Sequence, residues 1–408
     1  MAQTILGVSR FASTAMSISK PTSILAINSG SSSIKFALYE MGRGRENLLA
    51  RGAAEGIGLA RGRVWLDASS DRSAKPVNQR LETHGEAIRA VLAALNRDKH
   101  PRPAAVGHRL VNGGPKHTQP ERVSRGLIRS LQKVIPLAPL HLPTELAIIS
   151  AIAAELSGTP QVACFDTAFH RTMPAIARHL PLPRALWRGG LQRYGFHGLS
   201  YEYIVSALGR EARDQRVIVA HLGNGASLAA IRHGRSVETT MGFTPTGGVI
   251  MGTRTGDLDP GVLVYLMRER RWGPARFESL VDHESGLLGI SGTTSDMKAL
   301  LAKRSRDFRA REAVAMFCYS VCKQIGALAA VLGGCDTLVF TGGIGERAAP
   351  VRAAICRGLA HLGVRVARSR NAAHAPVISP PRSACTVRVI PTNEELVIAR
   401  HTFYMTSR

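Results

Sequence analysis

Two distant segments of the chain repeat one pattern, and this repeat limits the possible folds more than any other feature. Residues 24–40, ILAINSGSSSIKFALYE, are typical of an apolar strand, a turn rich in Gly and Ser, and a second strand. Residues 217–231, VIVAHLGNGASLAAI, repeat the order strand, Asn, Gly, Ser, strand. The repeat predicts an internal duplication, in which two related domains present their glycine turns to each other across a cleft. Either segment alone is also typical of an ordinary polar hairpin.

The chain as a whole alternates between strand and helix patterns. This alternation predicts α/β layers, in which ligand sites lie at the ends of strands. The predicted strands are 23–28, 34–39, 105–111, 162–165, 217–223, 228–231, 337–340 and 387–390. The predicted helices are 82–95, 143–156, 261–270, 312–332, 348–362 and a C-terminal helix that opens at PTNEE. We expect 367–384, with its many Arg, Pro and Ser residues, to be a surface excursion.

A third glycine turn, TGGIGE at 341–346, also follows a predicted strand. It lacks the GxGxxG spacing of a Rossmann dinucleotide site, and the sequence contains no GxxxxGK[ST] phosphate loop. Backbone N–H groups in such turns bind phosphate, and Lys35 adds a positive charge after the first turn. Three such turns predict a nucleotide held between two domains.

Four basic or imidazole side chains stand in motif-like surroundings: Arg109 in GHRLVNGG, His141 in APLHLP, His197 in RYGFHG and Arg254 in MGTRTGDLDP. Phosphoryl transfer spreads negative charge over the phosphoryl oxygens, so its site requires fixed positive donors, and Arg offers a planar fork. One such residue near a glycine is usually a surface residue. Four of them together with three phosphate turns indicate phosphoryl transfer.

The acidic candidates are Asp166 in CFDTAFH and the pair Glu394 and Glu395 in PTNEE. Mg²⁺ in nucleotide sites is held by one or two carboxylates, with phosphates and water completing its shell. These residues are therefore candidate metal ligands. PTNEE also suits the start of a helix, where acidic residues complement the helix dipole.

Taken together and in this order, the motifs resemble those of the acetokinase family of acetate kinases, within the superfamily of sugar kinases and actin. The resemblance runs from about Ser23 to about Arg400 and rests on NSGSSSIKF, GHRLVNGG, APLHLP, FDTAFH, RYGFHG, HLGNGAS, MGTRTGDLDPG, TGGIGE and PTNEE. It implies an α/β fold of duplicated ribonuclease H-like (actin-like ATPase) domains with a cleft between them. We expect a disordered extension over 1–20, an N-terminal domain over 21–165 completed by a C-terminal helix at about 394–408, and a C-terminal nucleotide-binding domain over 166–393.

The resemblance implies reversible, Mg²⁺-dependent transfer of the γ-phosphoryl group of ATP to acetate, which gives acetyl phosphate and ADP by direct in-line attack. Mn²⁺ is an alternative metal, and a homodimer is the implied assembly. A propionate or butyrate kinase of the same family differs mainly in pocket volume, which one sequence does not decide. A phosphatase or ATPase on the same fold, with water as acceptor, is a further alternative.

The resemblance also implies roles for individual residues. Asn28 and Glu394 would hold Mg²⁺. The implied catalytic residues are Arg109, His141, Asp166, His197 and Arg254. The implied acyl-binding residues are Arg109, Val111, Leu140, Phe196 and Pro245. The implied nucleotide-binding residues are Ser31, Ser33, Lys35, His221, Leu222, Gly223, Asn224, Gly225, Asp296, Met297, Lys298, Gly343, Ile344, Gly345, Glu346 and Arg347.

The family often assigns Asp166 the role of a base. A simple carboxylic acid has a pKa near ~4–5, so acetate is already ionised at neutral pH and needs no base. We therefore expect Asp166 to orient an Arg or the hydrated Mg²⁺. Two positions depart from the family pattern: Arg347 stands where a small polar residue such as Asn is usual, and Asn112 stands where His is frequent.

The composition limits the partners and the compartment. A formal charge of +24 would suit a nucleic-acid partner, but the basic residues are spread along the chain and only 5% of residues are aromatic. We expect small anions rather than nucleic acid, with 303–311 as the best basic patch. Six cysteines without a CxxC pair, and no secretory pattern, favour the cytoplasm. The longest apolar stretch carries Lys323, so no membrane span is expected.

Overall fold

A computed structural model describes residues 21–30, 32–68 and 76–407. The strands are β1 Thr22–Ser29, β2 Ser33–Gly42, β3 Arg45–Glu55, β4 Arg63–Ala68, β5 Val77–Asn78, β6 Ala105–Leu110, β7 Glu121–Arg122, β8 Gln161–Phe165, β9 Val217–Leu222, β10 Ala226–Arg232, β11 Arg235–Thr239, β12 Thr337–Thr341 and β13 Thr386–Val389. The helices are α1 His84–Arg97, α2 Arg125–Lys133, α3 Leu142–Glu155, α4 Ala175–Arg178, α5 Arg184–Arg188, α6 Gly198–Leu208, α7 Arg210–Asp214, α8 Pro260–Arg270, α9 Pro274–Ser279, α10 Gly286–Ser291, α11 Met297–Lys303, α12 Phe308–Leu332, α13 Gly342–Arg347, α14 Ala349–Arg357, α15 Arg368–Ala372 and α16 Glu394–Thr406.

The strands form two sheets that share one topology. In the first sheet, β1, β2 and β3 run antiparallel, and β6 and β8 then extend the sheet parallel to β1. In the second sheet, β9, β10 and β11 run antiparallel, and β12 and β13 extend it parallel to β9. Both sheets therefore contain the order third, second, first, fourth, fifth, with β4, β5 and β7 added to the first. This repeated order confirms the predicted α/β fold of duplicated domains.

The central strands are apolar because both of their faces are covered. Ile24–Ile27 of β1 are at most 1% exposed, and all six residues of β9 are buried. Strands that are covered on both faces are apolar along their whole length, whereas a half-exposed strand alternates. The two hairpin turns follow β1 and β9, so the common topology places the turns at corresponding edges of the two sheets.

Helix α16 packs against the first sheet, although it is the last element of the chain. It contacts β1, β2, β6 and β8, and its residues Val397, Ile398 and Thr402 are buried. Gly107 of β6 lies directly beneath it, where an added Cβ would be 2.1 Å from Thr402 Oγ1. Only glycine permits this approach of helix and strand. The predicted domain boundaries stay a prediction.

Helix α12 is long and apolar enough to cross a membrane by length and composition. One of its faces, which includes Phe317, Val321 and Ile325, is buried in the main hydrophobic cluster beside β9 and β10. Its apolar residues on that face therefore serve the packing of the interior.

Two predictions of local structure were wrong. The segment TGGIGER was expected to be a turn, but helix α13 begins at Gly342, directly after β12. The segment 367–384 was expected to be a surface excursion, but it contains α15 and buries Asn371 and Ile378. Its polar composition hid this burial, because Asn371 is buried as a hydrogen-bond partner rather than as an apolar residue. The predicted disordered extension, residues 1–20, lies outside the described residues.

Candidate active site

Both glycine hairpins line a single open cavity of about 1010 Å³ between the two sheets. The first hairpin contributes Gly30 and Ser33, and the second contributes 223–225. The start of α13 and the segment 391–395 form further parts of the wall. The cavity thus joins the three glycine motifs that the sequence analysis singled out, as the predicted facing arrangement requires.

Arg109, which lines this cavity, forms a buried ion pair with Asp166. The two residues are neighbours because Arg109 lies near the end of β6 and Asp166 comes directly after the adjacent parallel strand β8. Arg109 Nε and Nη2 lie 2.8 Å and 2.6 Å from Asp166 Oδ2. Burial alone would lower the pKa of the Arg109 guanidinium, but the carboxylates of Asp166 and Glu394 outweigh it and raise this pKa. Asp166 therefore holds the Arg109 side chain in place by two contacts to one carboxylate oxygen.

A second group of acidic and amide side chains adjoins this pair. Asn28 Nδ2 donates to Glu394 Oε2 at 2.8 Å and to Glu395 Oε1 at 3.1 Å, while Asn28 Oδ1 faces Arg109 Nη1 at 3.4 Å. Burial, together with the charges of Asp166 and Glu395, raises the pKa of Glu394 to about 7. A bound cation would stabilise the ionised form of a buried carboxylate that lies beside other carboxylates.

The donor set fits Mg²⁺. Glu394 and Glu395 supply carboxylate oxygens. A flip of the Asn28 side-chain amide, which exchanges its oxygen and nitrogen, would place the amide oxygen beside these carboxylates. The Oδ1 atom of Asp166 is buried and has no hydrogen-bond partner among the described residues. Mg²⁺ in nucleotide sites needs only one or two protein carboxylates. The described parts of the chain contain no cluster of three or more His, Cys, Asp or Glu side chains that could hold a metal ion.

His197 and Arg254 meet at the second glycine turn. An added Cβ at Gly225 would lie 3.3 Å from His197 Nε2 and 3.6 Å from Arg254 Nη1, so both donors approach the same point. His197 has a left-handed backbone with φ of 58°, and its ring stacks on His221 with 4.3 Å between centroids. A non-glycine residue in this conformation costs free energy and is concentrated at functional sites. The next residue, Gly198, donates its N–H to the carbonyl of Asp166, which ties His197 to the Arg109 pair.

His141 lies close to both arginines. Burial, followed by the charges of Arg254 and Arg109, lowers the pKa of His141 to about 4. Arg254 itself donates from Nη1 to the Pro245 carbonyl at 3.2 Å. Burial lowers the pKa of Arg254, and the nearby Arg109 lowers it further against the opposing charge of Asp282. Two guanidiniums therefore share a neighbourhood that contains a neutral imidazole.

The four residues expected to enclose an acyl methyl group differ in exposure. Val111 and Phe196 are each 2% exposed and belong to the same hydrophobic cluster. Leu140 is 39% exposed, and Pro245 is half-buried. Glu145, which the sequence analysis missed, accepts the N–H of Val111 with both carboxylate oxygens at 3.1 Å. This bond fixes the backbone of Val111.

The structure brings together only part of the expected nucleotide-binding set. Nine of these residues line the cavity: Ser33, Lys35, His221, Gly223, Asn224, Gly225, Gly343, Glu346 and Arg347. Six do not line it: Leu222, Asp296, Met297, Lys298, Ile344 and Gly345. Asp296 caps helix α11 and Met297 is buried in the core. Ser31 lies outside the described residues.

The sequence and the fold match known proteins. The model of the acetokinase family matches residues 23–400. The chain belongs to the acetokinase family. An acetate kinase of Nitrobacter hamburgensis is 43% identical over 93% of this chain and 95% of its own length. An acetate kinase of Rhodopseudomonas palustris is 45% identical over 93% of this chain and 97% of its own length.

Solved structures of an acetate kinase and a propionate kinase share this fold. The crystal structure of Porphyromonas gingivalis acetate kinase aligns with a TM-score of 0.84 at 37% identity, over 94% of this chain and 99% of that one. A propionate kinase from Francisella tularensis aligns with a TM-score of 0.87 at 34% identity, over 94% of this chain and 100% of that one.

Glu346 of this acetokinase has a contact that the sequence did not indicate. Its Oε1 accepts the N–H of Gly342 at 3.0 Å and the N–H of Thr392 at 3.1 Å. Glu346 was expected to contact nucleotide, and it lines the cavity while also joining α13 to the segment before α16. The side chain of Asn393 caps α16 and accepts the Tyr39 hydroxyl, so the same segment is held from a third direction. In the sequence, the motif PTNEE indicated roles for Glu394 and Glu395. It did not indicate the contacts of Thr392 and Asn393.

Proposed function

We infer that this acetokinase is an acetate kinase, which transfers the γ-phosphoryl group of ATP reversibly to acetate. The observation that carries the inference is the proximity of Arg109, His197 and Arg254: the first two line a cavity walled by glycine turns, and Arg254 approaches the turn at Gly225. Fixed cations beside phosphate-binding turns are what phosphoryl transfer requires, because its transition state is stabilised by position and charge. The family membership supports the same reaction.

We propose direct attack of an acetate oxygen on the γ-phosphorus of ATP. Arg109 and Arg254 would bind the acetate carboxylate and the transferring phosphoryl group. His197 would donate a hydrogen bond to the phosphoryl group, and His141 would lie nearby. Asp166 would hold Arg109 in its ionised and extended position. No proton has to be removed from acetate at neutral pH, so the residues need only align the reactants and offset charge.

The acyl group would lie against Val111, Leu140, Phe196 and Pro245. The burial of Val111 and Phe196 in one hydrophobic cluster supports an apolar contact for a methyl group. Leu140 and Pro245 are partly exposed, so the pocket would admit its substrate from that side.

The nucleotide would occupy the cavity between the sheets. Its proposed contacts are the cavity-lining members of the expected set, with Asp296, Met297 and Lys298 beyond the cavity wall. Mg²⁺, or Mn²⁺ in its place, would be held by Asn28 and Glu394 together with Glu395. When bound, the metal would neutralise charge on the phosphate oxygens.

A panel of short-chain carboxylates tests the proposal. ADP release is measured with formate, acetate, propionate and butyrate, each with and without Mg²⁺, and hydroxylamine traps any acyl phosphate as the hydroxamate. We expect metal-dependent ADP release with hydroxamate formation, and a higher kcat/KM for acetate than for the other acids. ADP release without hydroxamate would instead identify an ATPase or phosphatase.

Propionate kinase is the second candidate, because the propionate kinase of Francisella tularensis shares the fold over its whole length. One methylene changes binding by only about 1–3 kcal/mol, so the kcat/KM ratio of acetate to propionate decides between them. A nucleic-acid-binding role is the remaining alternative. Absence of gel retardation across a salt series would remove it.

We propose a homodimer in the cytoplasm. Helix α8 has no buried residue, and it exposes Val262, Val264, Tyr265 and Met267. An apolar helix face of this kind is suited to burial against a second copy of the chain. Light scattering checks the assembly: a mass near twice the 43.8 kDa of one chain is expected.

A further inference from the structure

Behind His197, two buried hydroxyl groups continue its hydrogen bonding away from the cavity. His197 Nδ1 lies 2.8 Å from Ser227 Oγ, and Ser227 Oγ lies 2.5 Å from Tyr201 Oη. Ser227 and Tyr201 are both fully buried. Ser227 belongs to β10 and Tyr201 to α6, so the three side chains join the second hairpin to the helix that follows His197.

The hydrogen positions in the His197–Ser227–Tyr201 network follow from the hydrogen-bond acceptors that are within reach. Tyr201 Oη has no hydrogen-bond partner other than Ser227 Oγ among the described residues. A buried hydroxyl hydrogen without an acceptor is costly, so Tyr201 donates to Ser227. Ser227 must then donate its own hydrogen, and His197 Nδ1 is the acceptor within reach. A neutral imidazole that accepts at Nδ1 carries its hydrogen on Nε2.

We propose that Tyr201 and Ser227 are positioning residues that hold His197 as the neutral tautomer with hydrogen on Nε2. The proposal rests on the proposed function, in which His197 donates to the transferring phosphoryl group. Nε2 is the atom that meets Arg254 at Gly225, on the cavity side of the ring. Tautomer control from behind the ring therefore directs the one available N–H toward the reacting group.

The surroundings of His197 keep its ring neutral. His221 stacks on it, and no carboxylate hydrogen-bonds to either of its nitrogens among the described residues. Burial, followed by the proximity of His221 and the charges of Arg109 and Arg254, lowers the pKa of His197 well below its usual value. A neutral donor adds a hydrogen bond in the transition state without repelling the two guanidiniums. The other tautomer would present a lone pair to the phosphoryl oxygens, which repel it.

The tautomer is measured directly in the unliganded enzyme. Protein labelled with ¹⁵N in histidine gives long-range ¹H–¹⁵N spectra that identify which ring nitrogen carries hydrogen, and His197→Gln assigns the signals. At pH 7 we expect Nε2 protonated and Nδ1 unprotonated. Hydrogen on Nδ1, or on both nitrogens, would overturn the proposal. This readout does not depend on activity, so it stands apart from any failure of the proposed function.

Variants test whether the two hydroxyls set the tautomer. Ser227→Ala and Tyr201→Phe should give a mixed tautomer population, and Ser227→Ala should lower kcat about tenfold, equivalent to about 1.4 kcal/mol, with both KM values within about twofold. Ser200→Ala is the matched control, because Ser200 Oγ bonds the stacked His221 instead, and it should leave the His197 signals unchanged. Unchanged His197 signals in a folded Ser227→Ala variant would contradict the proposal. If that variant fails to fold, the wild-type spectrum still decides.

Discussion

Arg109 and Arg254 have the same proposed role but differ in the groups to which they are bonded. Arg109 is paired with Asp166, which is fully buried. Among the described residues, Arg254 hydrogen-bonds the Pro245 carbonyl and the Met251 sulfur, both of them uncharged. Removing Arg109 therefore leaves an isolated charge in the interior, whereas removing Arg254 does not. The effects of the two residues on activity and on stability should separate.

Arg254→Ala should abolish most of kcat with little change in the free energy of unfolding. Arg109→Ala should abolish kcat equally and also lower the free energy of unfolding by about 3–5 kcal/mol, the usual cost of a buried charge that has lost its partner. Steady-state kinetics and urea unfolding measure the two effects.

The control for this pair is Arg109→Ala combined with Asp166→Ala. The double variant should recover most of the lost stability while remaining inactive, because no charge is left unpaired. Near-normal turnover in either single variant would refute the proposed roles. Equal stability of the two single variants would refute the importance of the ion pair.

Glu145 provides a test of pH dependence at a single residue. Burial raises the pKa of Glu145 from 4.5 to about 8, against the opposing effects of Arg109 and the Val111 N–H. The folded protein keeps this proton while the unfolded chain loses it, so the free energy of unfolding falls as pH rises from 4.5 to 8. The slope from this one group is about 1.4 kcal/mol per pH unit.

We expect Glu145→Gln to remove that slope, because glutamine preserves the acceptor for Val111 without a titrating proton. Urea unfolding at pH 5, 6, 7 and 8 measures it, with the half-exposed Glu121→Gln as a comparison. Identical pH profiles of the wild type and Glu145→Gln would show that Glu145 does not carry the raised pKa.

Sequence reasoning reached the residues whose side chains enter the cavity, because they stand beside glycine turns and strand ends. Asn28, Arg109, His197 and Glu394 are of this kind. It missed the supporting residues: Glu145 is placed by the packing of α3 against β6, and that placement has no short motif.

At the scale of elements, the short helix α13 is held from behind by a buried arginine. Arg352 is fully buried, and its Nη1 donates to the carbonyls of Gly345 and Glu346 at 2.8 Å. Its Nε donates to Asn371 Oδ1 at 2.8 Å, and no carboxylate pairs with it among the described residues. A cation at the end of a helix complements the helix dipole, so Arg352 fixes the direction in which α13 presents its first turn to the cavity.

Asn371→Ala should weaken the binding of ATP more than that of acetate. The Arg352 Nε would lose its acceptor, which lowers the free energy of unfolding by about 1–3 kcal/mol and loosens α13. We expect the KM for ATP to rise several-fold with the KM for acetate unchanged. The exposed neighbour Arg370→Ala serves as the control. An equal rise in both KM values would contradict a local effect on α13.

The sequence predicted the strand and the glycine motif at this element but assigned a turn where the structure has a helix. Glycines lower helix propensity, and two contacts offset that cost: Arg352 anchors the last turn, and Glu346 accepts the Gly342 N–H. Arg352 is in turn held by Asn371, which lies in a segment whose composition suggested an exposed loop. Local patterns do not record that contact.

At the scale of the whole molecule, the duplicated sheets bury several histidines around the site and in the core. Burial is the largest cause that lowers the pKa of each of these residues to about 4: His108, His141, His170 and His221. Each is neutral when folded and binds a proton below pH 6.5 when unfolded. The free energy of unfolding should therefore fall as pH falls from 6.5 to 4.

We expect this loss to be steep, at about 1.4 kcal/mol per pH unit for each histidine, and to exceed the opposite effects of Glu145 and Glu394. Urea unfolding between pH 6.5 and 4 measures the slope. His108→Gln should reduce the slope by the contribution of one histidine, about 1.4 kcal/mol per pH unit. The exposed His361→Gln is the control. A stability that does not change over this range would contradict the burial of neutral imidazoles.

The position of α16 has a consequence for synthesis on the ribosome. Strands β1 and β6 leave the ribosome well before the helix that covers them over Gly107, and Glu394 arrives with that helix. A nascent chain therefore exposes one face of the first sheet until α16 has emerged. Products terminated before α16 should accordingly carry an uncovered apolar surface and lack the Glu394 carboxylate of the candidate site.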